Sequence, residues 1–306
     1  MPVADIEHGS PWHSGEIALQ ETIGSAERLR VVGLRVMRDH MPDQHRAFFA
    51  QLPFAILGSV DKAGAPWATI VTGMPGFLKS PDPRTLSIGL RTDASDPVAE
   101  GLAAGQAIGL LGIELSTRRR NRVNGLITTS NNDGLTIAVE QSFGNCPQYI
   151  RLRDFAVADG SQQCSGNLEE FKTLDGRPRQ IVENADTFFV ATYADLPGGR
   201  RQVDASHRGG RIGFVRIAND GTLTIPDYSG NRFFNTLGNI VVSGRAGMLF
   251  IDFVNGDVLQ LSGTAEVLLD NPDLPSFTGA ERLWRVTPTR LFLRRRAVAL
   301  SWTDRT

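Results

Sequence analysis

Two segments in the C-terminal half of the chain are rich in hydrogen-bond donors. Residues 204–211 read Asp-Ala-Ser-His-Arg-Gly-Gly-Arg, follow a predicted strand and offer a hydroxyl, an imidazole and two guanidinium groups. Residues 227–232 read Asp-Tyr-Ser-Gly-Asn-Arg and stand just before a predicted helix. Because phosphate is bound by several N–H and O–H donors, and a helix N-terminus adds free amides, the two segments predict one shared anion site. The alternative is two ordinary polar turns, with Ser229 or Asn231 only capping the helix.

Four further residues admit both a chemical and a structural interpretation. His207 has the chemistry of a general acid or base, but spacing identifies no partner carboxylate, so we favour a hydrogen-bonding or cofactor-contact role. Cys146 has no C-x-x-C partner, so we favour a buried structural cysteine over a reactive thiol. His8 and His13 lack the spacing of a helical metal pair, and we expect no metal site.

The chain matches itself at a nearly constant offset. Four short matches follow the same order in both halves, at offsets from 134 (188 − 54) to 138 (247 − 109) residues. This regularity indicates a duplicated domain rather than a solenoid of many repeats. The matches are 54–57 with 188–191, 85–88 with 222–225, 109–114 with 247–252, and Gly125 with Gly263.

Each copy predicts a short helix, mostly antiparallel strands and one crossing helix. We therefore predict a mainly β (α+β) fold of two tandem barrels with short flanking helices. The predicted helices are 43–51 and 96–104 in the first copy, and 180–186 and 231–242 in the second. The predicted domains are an N-terminal helical extension at 1–42, a first barrel at 43–152, a linker at 153–179 and a second barrel at 180–306.

Charged residues outside the two donor-rich segments are expected to be structural. Glu114 and Asp252 occupy equivalent positions in the two copies, either as an acid/base pair or, more simply, as strand-end hydrogen-bond acceptors. The arginine-rich runs 118–122 and 294–296 project to both faces of a strand, so we expect solvated strand ends rather than one basic patch.

Composition excludes several classes of function. The 32 basic and 33 acidic residues give a net charge of −1, so we expect no nucleic-acid partner. No stretch approaches ~18 apolar residues, so we expect no membrane partner. The first residues resemble no secretory leader, and Cys146 and Cys164 are too few for a disulfide framework, so we expect a cytoplasmic protein.

The motifs of the second copy resemble a known family. Residues 206–210, 229–232 and 247–252 are similar to those of the pyridoxamine 5'-phosphate oxidase-like FMN-binding split barrels, in particular the bacterial subgroup with tandem barrels. Residues 13–16 and 145–150 are similar to the same subgroup. The first copy is degenerate, because 68–72 (Ala-Thr-Ile-Val-Thr) replaces Ser-His-Arg-Gly-Gly and brings no basic group.

The resemblance implies an FMN cofactor between two split barrels, at an interface that one chain builds internally. It implies phosphate contacts from Ser206, Arg208, Asn231 and Arg232, with His207 near the flavin ring or ribityl chain. Residues 145–149 are expected on the opposite wall, and one working site is expected per chain.

The function implied is that of an FMN-dependent oxidoreductase acting on a small molecule, with NAD(P)H as a candidate hydride donor; no catalytic residue is identified. The alternatives are a non-catalytic flavin- or haem-binding or sensing protein, and a structural protein that has lost the ligand. The sequence leaves open FAD or a deazaflavin in place of FMN, and whether two chains form a homodimer.

Overall fold

The computed structural model describes residues 10–90, 93–157 and 168–305. His8 and Cys164, and the roles considered for them, lie outside the described residues. The described part contains five α-helices. They are α1 Ser14–Thr22, α2 Ala26–Val36, α3 Asp43–Gln51, α4 Gly176–Glu183 and α5 Asn235–Ser243.

Seven strands of the first half form one antiparallel sheet. These strands are β1 Phe54–Val60, β2 Pro66–Thr72, β3 Leu78–Lys79, β4 Thr85–Ile88, β5 Ala107–Glu114, β6 Arg119–Asn131 and β7 Gly134–Gly144. Their order across the sheet is β2-β1-β5-β6-β7-β4-β3. All seven residues of β1 are buried, because one face of this strand meets the core of its own barrel and the other meets the second half.

The second half repeats this strand order. Its strands are β8 Arg153–Val157, β9 Leu168–Phe171, β10 Thr187–Leu196, β11 Arg200–Gly209, β12 Arg216–Ile217, β13 Leu223–Tyr228, β14 Arg245–Ile251, β15 Val258–Leu268, β16 Ala280–Arg294 and β17 Leu300–Asp304. The order is β11-β10-β14-β15-β16-β13-β12, with β9 beside β16 and β8 paired with β17. The prediction of a mainly β fold of two tandem split barrels is confirmed.

Several predicted elements have different bounds in the structure. Helix α3 spans the predicted residues, but the predicted helix at 96–104 is a 3-10 turn, Pro97–Gly101, since Gly101 within it and Gly105 beyond it disfavour a longer helix. Helix α4 begins four residues before the prediction, and the predicted linker contains β8 and β9. These strands are short and were not visible as alternating patterns.

Helix α5 begins at Asn235 rather than at 231, because the chain turns twice before it. Arg232 and Phe234 have left-handed backbones, with φ of 60° and 64°, and the Asn231 side chain accepts a hydrogen bond from the Phe233 amide at 3.2 Å. Phe234 is the N-cap residue and provides no side-chain cap. Asn231 therefore stabilises the preceding turn and does not cap the helix.

The two barrels approach each other through equivalent glycines of β5 and β14. A Cβ added to Gly109 would lie 2.8 Å from the amide nitrogen of Ala205, and one added to Gly247 would lie 2.0 Å from the carbonyl oxygen of Pro66. Each glycine thus lets its barrel lie directly against the edge strand of the other, β11 or β2. Apolar residues from both barrels form one shared cluster around this contact, including Phe54, Ile56, Leu111, Phe189 and Leu249.

Polar contacts also join the barrels. Arg294 of β16 donates to Asp96 at 2.7 Å, and the side chain of Gln260 donates to the carbonyl of Ala68 at 2.9 Å. Both side chains are buried. The interface between the barrels is therefore a third core, besides the cores of the two barrels.

Replacing Gly247 with alanine should destabilise the folded chain by ~1–3 kcal/mol or more, since the new methyl group overlaps a backbone carbonyl that cannot rotate away. Chemical denaturation of the purified variant measures the loss. Gly144→Ala is the matched control, because its Cβ would meet only the Asn121 side chain at 3.4 Å. Equal stability of the two variants would show that the barrels are not held at this distance.

Candidate functional site

A cleft enclosing about 820 Å³ opens where the two barrels meet. The first barrel contributes residues of β6 and of the segment 145–149, and the second contributes residues of β11, β16 and the stretch from β13 into α5. We call it the interface cavity.

Four of the five predicted site residues line the interface cavity. His207 and Arg208 come from the end of β11, which continues to Gly209 where a loop was expected. Asn231 and Arg232 come from the turns before α5. The two donor-rich segments therefore converge, and residues of 145–149 line the same cavity.

Ser206 is the predicted site residue that does not line the cavity. Its side chain is 1% exposed; its hydroxyl donates to Asp204 at 2.7 Å and accepts from the Thr236 hydroxyl at 2.9 Å. Ser206 thus ties β11 to the first turn of α5, and its expected role as a phosphate ligand stays a prediction.

Arg120 and Arg122 of β6 line the interface cavity, although solvated strand ends were expected there. Arg120 donates to the Cys146 carbonyl at 2.8 Å and to Nδ1 of His207 at 3.0 Å. Arg122 is buried and donates to Asp204 at 2.9 Å and to the Asn235 side chain at 3.0 Å. The arginine-rich run 118–122 does project to both faces of β6, because Arg119 lies over the Phe48 ring on the face opposite to Arg120 and Arg122. The second barrel covers the face that carries Arg120 and Arg122.

Several buried hydrogen-bond donors of the residues that line the interface cavity have no partner. Within the described residues, four cavity-lining groups are inaccessible to water and make no hydrogen bond: Nε of Arg122, Nδ2 of Asn145, Nε2 of His207 and Nε of Arg208. Leaving a buried donor unpaired costs ~1–3 kcal/mol, more for a charged group. A ligand that presents several acceptor oxygens would satisfy such a set.

The tautomer and charge of His207 follow from its surroundings. Since Arg120 donates to Nδ1, that nitrogen carries no hydrogen, and Nε2 is the donor of a neutral ring. Burial, together with the positive charges of Arg120, Arg208, Arg153 and Arg122, holds the pKa of His207 well below 6.5. His207 is therefore a fixed neutral donor rather than a proton carrier at physiological pH.

The charge on the wall is positive. Five arginines and two carboxylates line the cavity among the described residues. Asp227 is shared by Arg208 and Arg282 at 2.6 and 2.5 Å, and Glu281 pairs with Arg232 at 3.1 Å. Burial lowers the pKa of Arg120, and the nearby cations Arg122 and Arg208 lower it further. A bound anion would relieve this repulsion.

Two stacked tyrosines form the rim of the cavity. The rings of Tyr149 and Tyr228 are 5.1 Å apart, and their planes differ by 24°. Tyr149 has a left-handed backbone, with φ of 62°. A Cβ on Gly209 would lie 2.0 Å from the Tyr149 carbonyl oxygen, so a glycine is needed for the segment 145–149 to reach β11.

The N-terminal extension supports the cavity from behind. Glu16 of α1 is buried and accepts hydrogen bonds from the Asn235 side chain and from the His13 amide. Asn235 in turn accepts from Arg122. A Cβ on Gly15 would lie 2.2 Å from the Gly238 carbonyl oxygen, so α1 lies directly against α5. His13 caps α1 and contacts Asn239 at 2.8 Å.

The remaining candidates have structural roles. Asp252 accepts hydrogen bonds from Arg177 and from its own turn, and Glu114 accepts from Thr117. These separate partners favour the strand-end interpretation over an acid/base pair. Across the described ranges, no group of three or more His, Cys, Asp or Glu residues is placed to hold a metal ion, and no helix is long and apolar enough to cross a membrane.

Residues 41–160 match the family model of pyridoxamine 5'-phosphate oxidase. The family resemblance is confirmed. The match falls on the first barrel, where the resemblance of the quoted motifs was weaker, and it continues through the segment 145–149 at the interface cavity. Members of this family commonly bind flavin. No curated protein matches the chain.

Several solved structures are similar to part of this chain. HupZ of Group A Streptococcus is 16% identical over 37% of this chain and 87% of its own, with a TM-score of 0.29. The FAD binding protein of Mycobacterium smegmatis is 16% identical over 40% and 97%, with a TM-score of 0.28. HutZ, the haem storage protein of Vibrio cholerae, is 14% identical over 40% and 95%, with a TM-score of 0.28.

The strand pairings identify the residue of the first barrel that is equivalent to Arg208. Gly112 of β5 and Phe250 of β14 are equivalent at the repeat offset of 138 (250 − 112). Two strand pairings on from Gly112 lies Val71 of β2, and two pairings on from Phe250 lies Arg208 of β11, so Val71 is the counterpart of Arg208. The alignment of 206–210 with 68–72 is thus one residue out of register. The ladders pair Ala55 with Val71 and Gly112, and Phe188 with Arg208 and Phe250.

Glu16 should make the stability of the chain depend on pH. Burial raises its pKa above 4.5, so its contribution is fully present below 4.5 and is lost as the pH rises through the folded-state pKa. Glu16→Gln removes this titration. The difference in unfolding free energy, wild type minus variant, should therefore fall as the pH rises from 4.5 towards 7.5 in denaturant titrations. A difference that stays constant, or that grows, would contradict a raised pKa of the Glu16 carboxyl.

Proposed function

We propose that this chain is a flavin-dependent oxidoreductase that binds FMN in the interface cavity and acts on a small molecule. The observation that carries the proposal is the set of four buried, unpaired donors on a positively charged wall. A phosphate group and a polar isoalloxazine edge together offer enough acceptors for such a set. The family match supports a flavin, and the donor chemistry supports a phosphorylated one.

Residues of both barrels would hold the cofactor. Arg120 and Arg208 offer charge-assisted hydrogen bonds to a phosphate, and the neutral His207 offers one N–H donor in a fixed direction. The side-chain amide of Asn145 adds a donor from the segment 145–149. When bound, FMN would supply the capacity to accept or donate a hydride, while the protein sets orientation and access.

Proton transfer is not assigned to any side chain. His207 is held neutral, and the cavity carboxylates Asp227 and Glu281 are paired with arginines. Since the described lining of the cavity holds no protonatable histidine and no unpaired carboxylate, a second candidate function is a protein that binds or senses a flavin without turnover. Reduction of the flavin by a nicotinamide needs no side-chain acid, so the oxidoreductase is preferred.

Arg208→Gln should weaken FMN binding at least about tenfold, because a charge-assisted hydrogen bond is worth ~1.5–3 kcal/mol. Quenching of flavin fluorescence on titration measures the dissociation constant. Arg179→Gln is the control: Arg179 is exposed, pairs with Glu183 and lies outside the cavity wall, so this variant should bind FMN as wild type does. Unchanged affinity in Arg208→Gln would place the flavin elsewhere.

The two candidate functions separate in an anaerobic reduction experiment. FMN-loaded protein mixed with NADPH or NADH should lose its flavin absorbance faster than free FMN at the same concentration. Bleaching at the rate of free FMN with either donor would favour the binding or sensing protein. Parallel titrations with FAD and a deazaflavin test the choice of cofactor.

A further inference from the structure

A second, larger groove adjoins the interface cavity. It is open to solvent, spans about 2120 Å³ including that open space, and lies between the second barrel and the residues 118 and 149–152. Tyr149, Phe214 and Tyr228 line both spaces, so the two lie side by side at the stacked tyrosines. We call it the arginine groove, because five arginines line it: Arg118, Arg151, Arg211, Arg216 and Arg305.

The charge of this groove is not neutralised locally. No carboxylate is among its described lining residues, and within the described part Arg118, Arg211 and Arg216 form no ion pair. Arg151 pairs with Asp304 at 3.1 Å, and Arg305 pairs with Asp154. Three of the five guanidinium groups thus lack a protein anion, which makes the groove attractive to anionic ligands.

Neutral contacts hold two of these guanidinium groups in place. Arg216 donates to the Ser276 hydroxyl at 2.9 Å and lies 4.2 Å from the centre of the Phe277 ring. Arg118 donates to the Ile150 carbonyl at 3.1 Å. Because these partners carry no charge, the arginines are oriented while their charge stays available. Guanidinium groups in fixed positions bind phosphates and carboxylates in bidentate fashion.

We propose that the arginine groove binds the anionic part of an elongated small molecule with two or more phosphate or carboxylate groups. The other end of that molecule reaches the interface cavity past Tyr149 and Tyr228. The spread of the arginines along a groove this large matches several charges rather than one. The redox role of the molecule rests on the proposed function, whereas the binding itself does not.

The test uses tripolyphosphate and citrate as phosphate and carboxylate probes. Isothermal titration of the full chain, with and without FMN, compares wild type with the double variant Arg211→Gln, Arg216→Gln. The double variant should bind the preferred probe at least about tenfold more weakly and bind FMN within twofold of wild type. Arg28→Gln is the control, because Arg28 is exposed on α2 and does not line the groove; its affinity for the probe should be unchanged.

Each outcome has a defined meaning. Tighter binding of tripolyphosphate identifies a phosphate-bearing ligand such as a dinucleotide, and tighter binding of citrate identifies an oligocarboxylate. If wild type binds neither probe, or if the control and the double variant lose equal affinity, the groove is not an anion site. If the chain fails to bind FMN while probe binding still depends on Arg211 and Arg216, the flavin proposal fails and the groove proposal stands.

Discussion

The burial of Arg122 against Asp204 is the interaction on which the rest of the site depends. Arg122 belongs to the first barrel and Asp204 to the second, and both side chains are almost fully buried. A buried charge is tolerated only when it is paired and hydrogen-bonded, so neither barrel can present its half of the cavity without the other. Asp204 also accepts from Ser206, and Asn235 joins Arg122 to Glu16, so one network fixes β6, β11, α5 and the N-terminal helix together.

The two barrels share a strand order but differ in the residues at equivalent positions. Gly109 and Gly247 make the same close approach from opposite sides, and the resulting arrangement resembles a dimer built from one chain. The equivalent of Arg122 at the repeat offset is Gln260, which donates to a backbone carbonyl of the first barrel. Arg122 carries a charge and its counterpart Gln260 does not. The two barrels therefore form one cationic cavity, and residues of both line it.

The fold class and two of the segments that line the interface cavity could be predicted from the sequence, because both follow from local sequence patterns. The duplicated strands indicated the fold class, and the clustering of donors in 204–211 and 227–232 indicated two segments that line the cavity.

Arg120 and Arg122 were missed because a strand pattern shows that residues alternate but not which face another domain covers. The hydrogen bonds of the Ser206 hydroxyl could not be predicted, because spacing cannot show that Asp204 and Thr236 contact it. The arginine groove is assembled from residues about 190 positions apart (305 − 118), and no local pattern connects them.

The most direct test of the account is the amount of flavin that one chain binds. Protein reconstituted with excess FMN and freed of unbound flavin should contain one FMN per chain, determined from flavin absorbance against protein concentration by amino-acid analysis. One per chain is what a single cationic cavity between unequal barrels requires. Two per chain would mean that the first barrel keeps a working site, and none would remove the flavin from the account altogether.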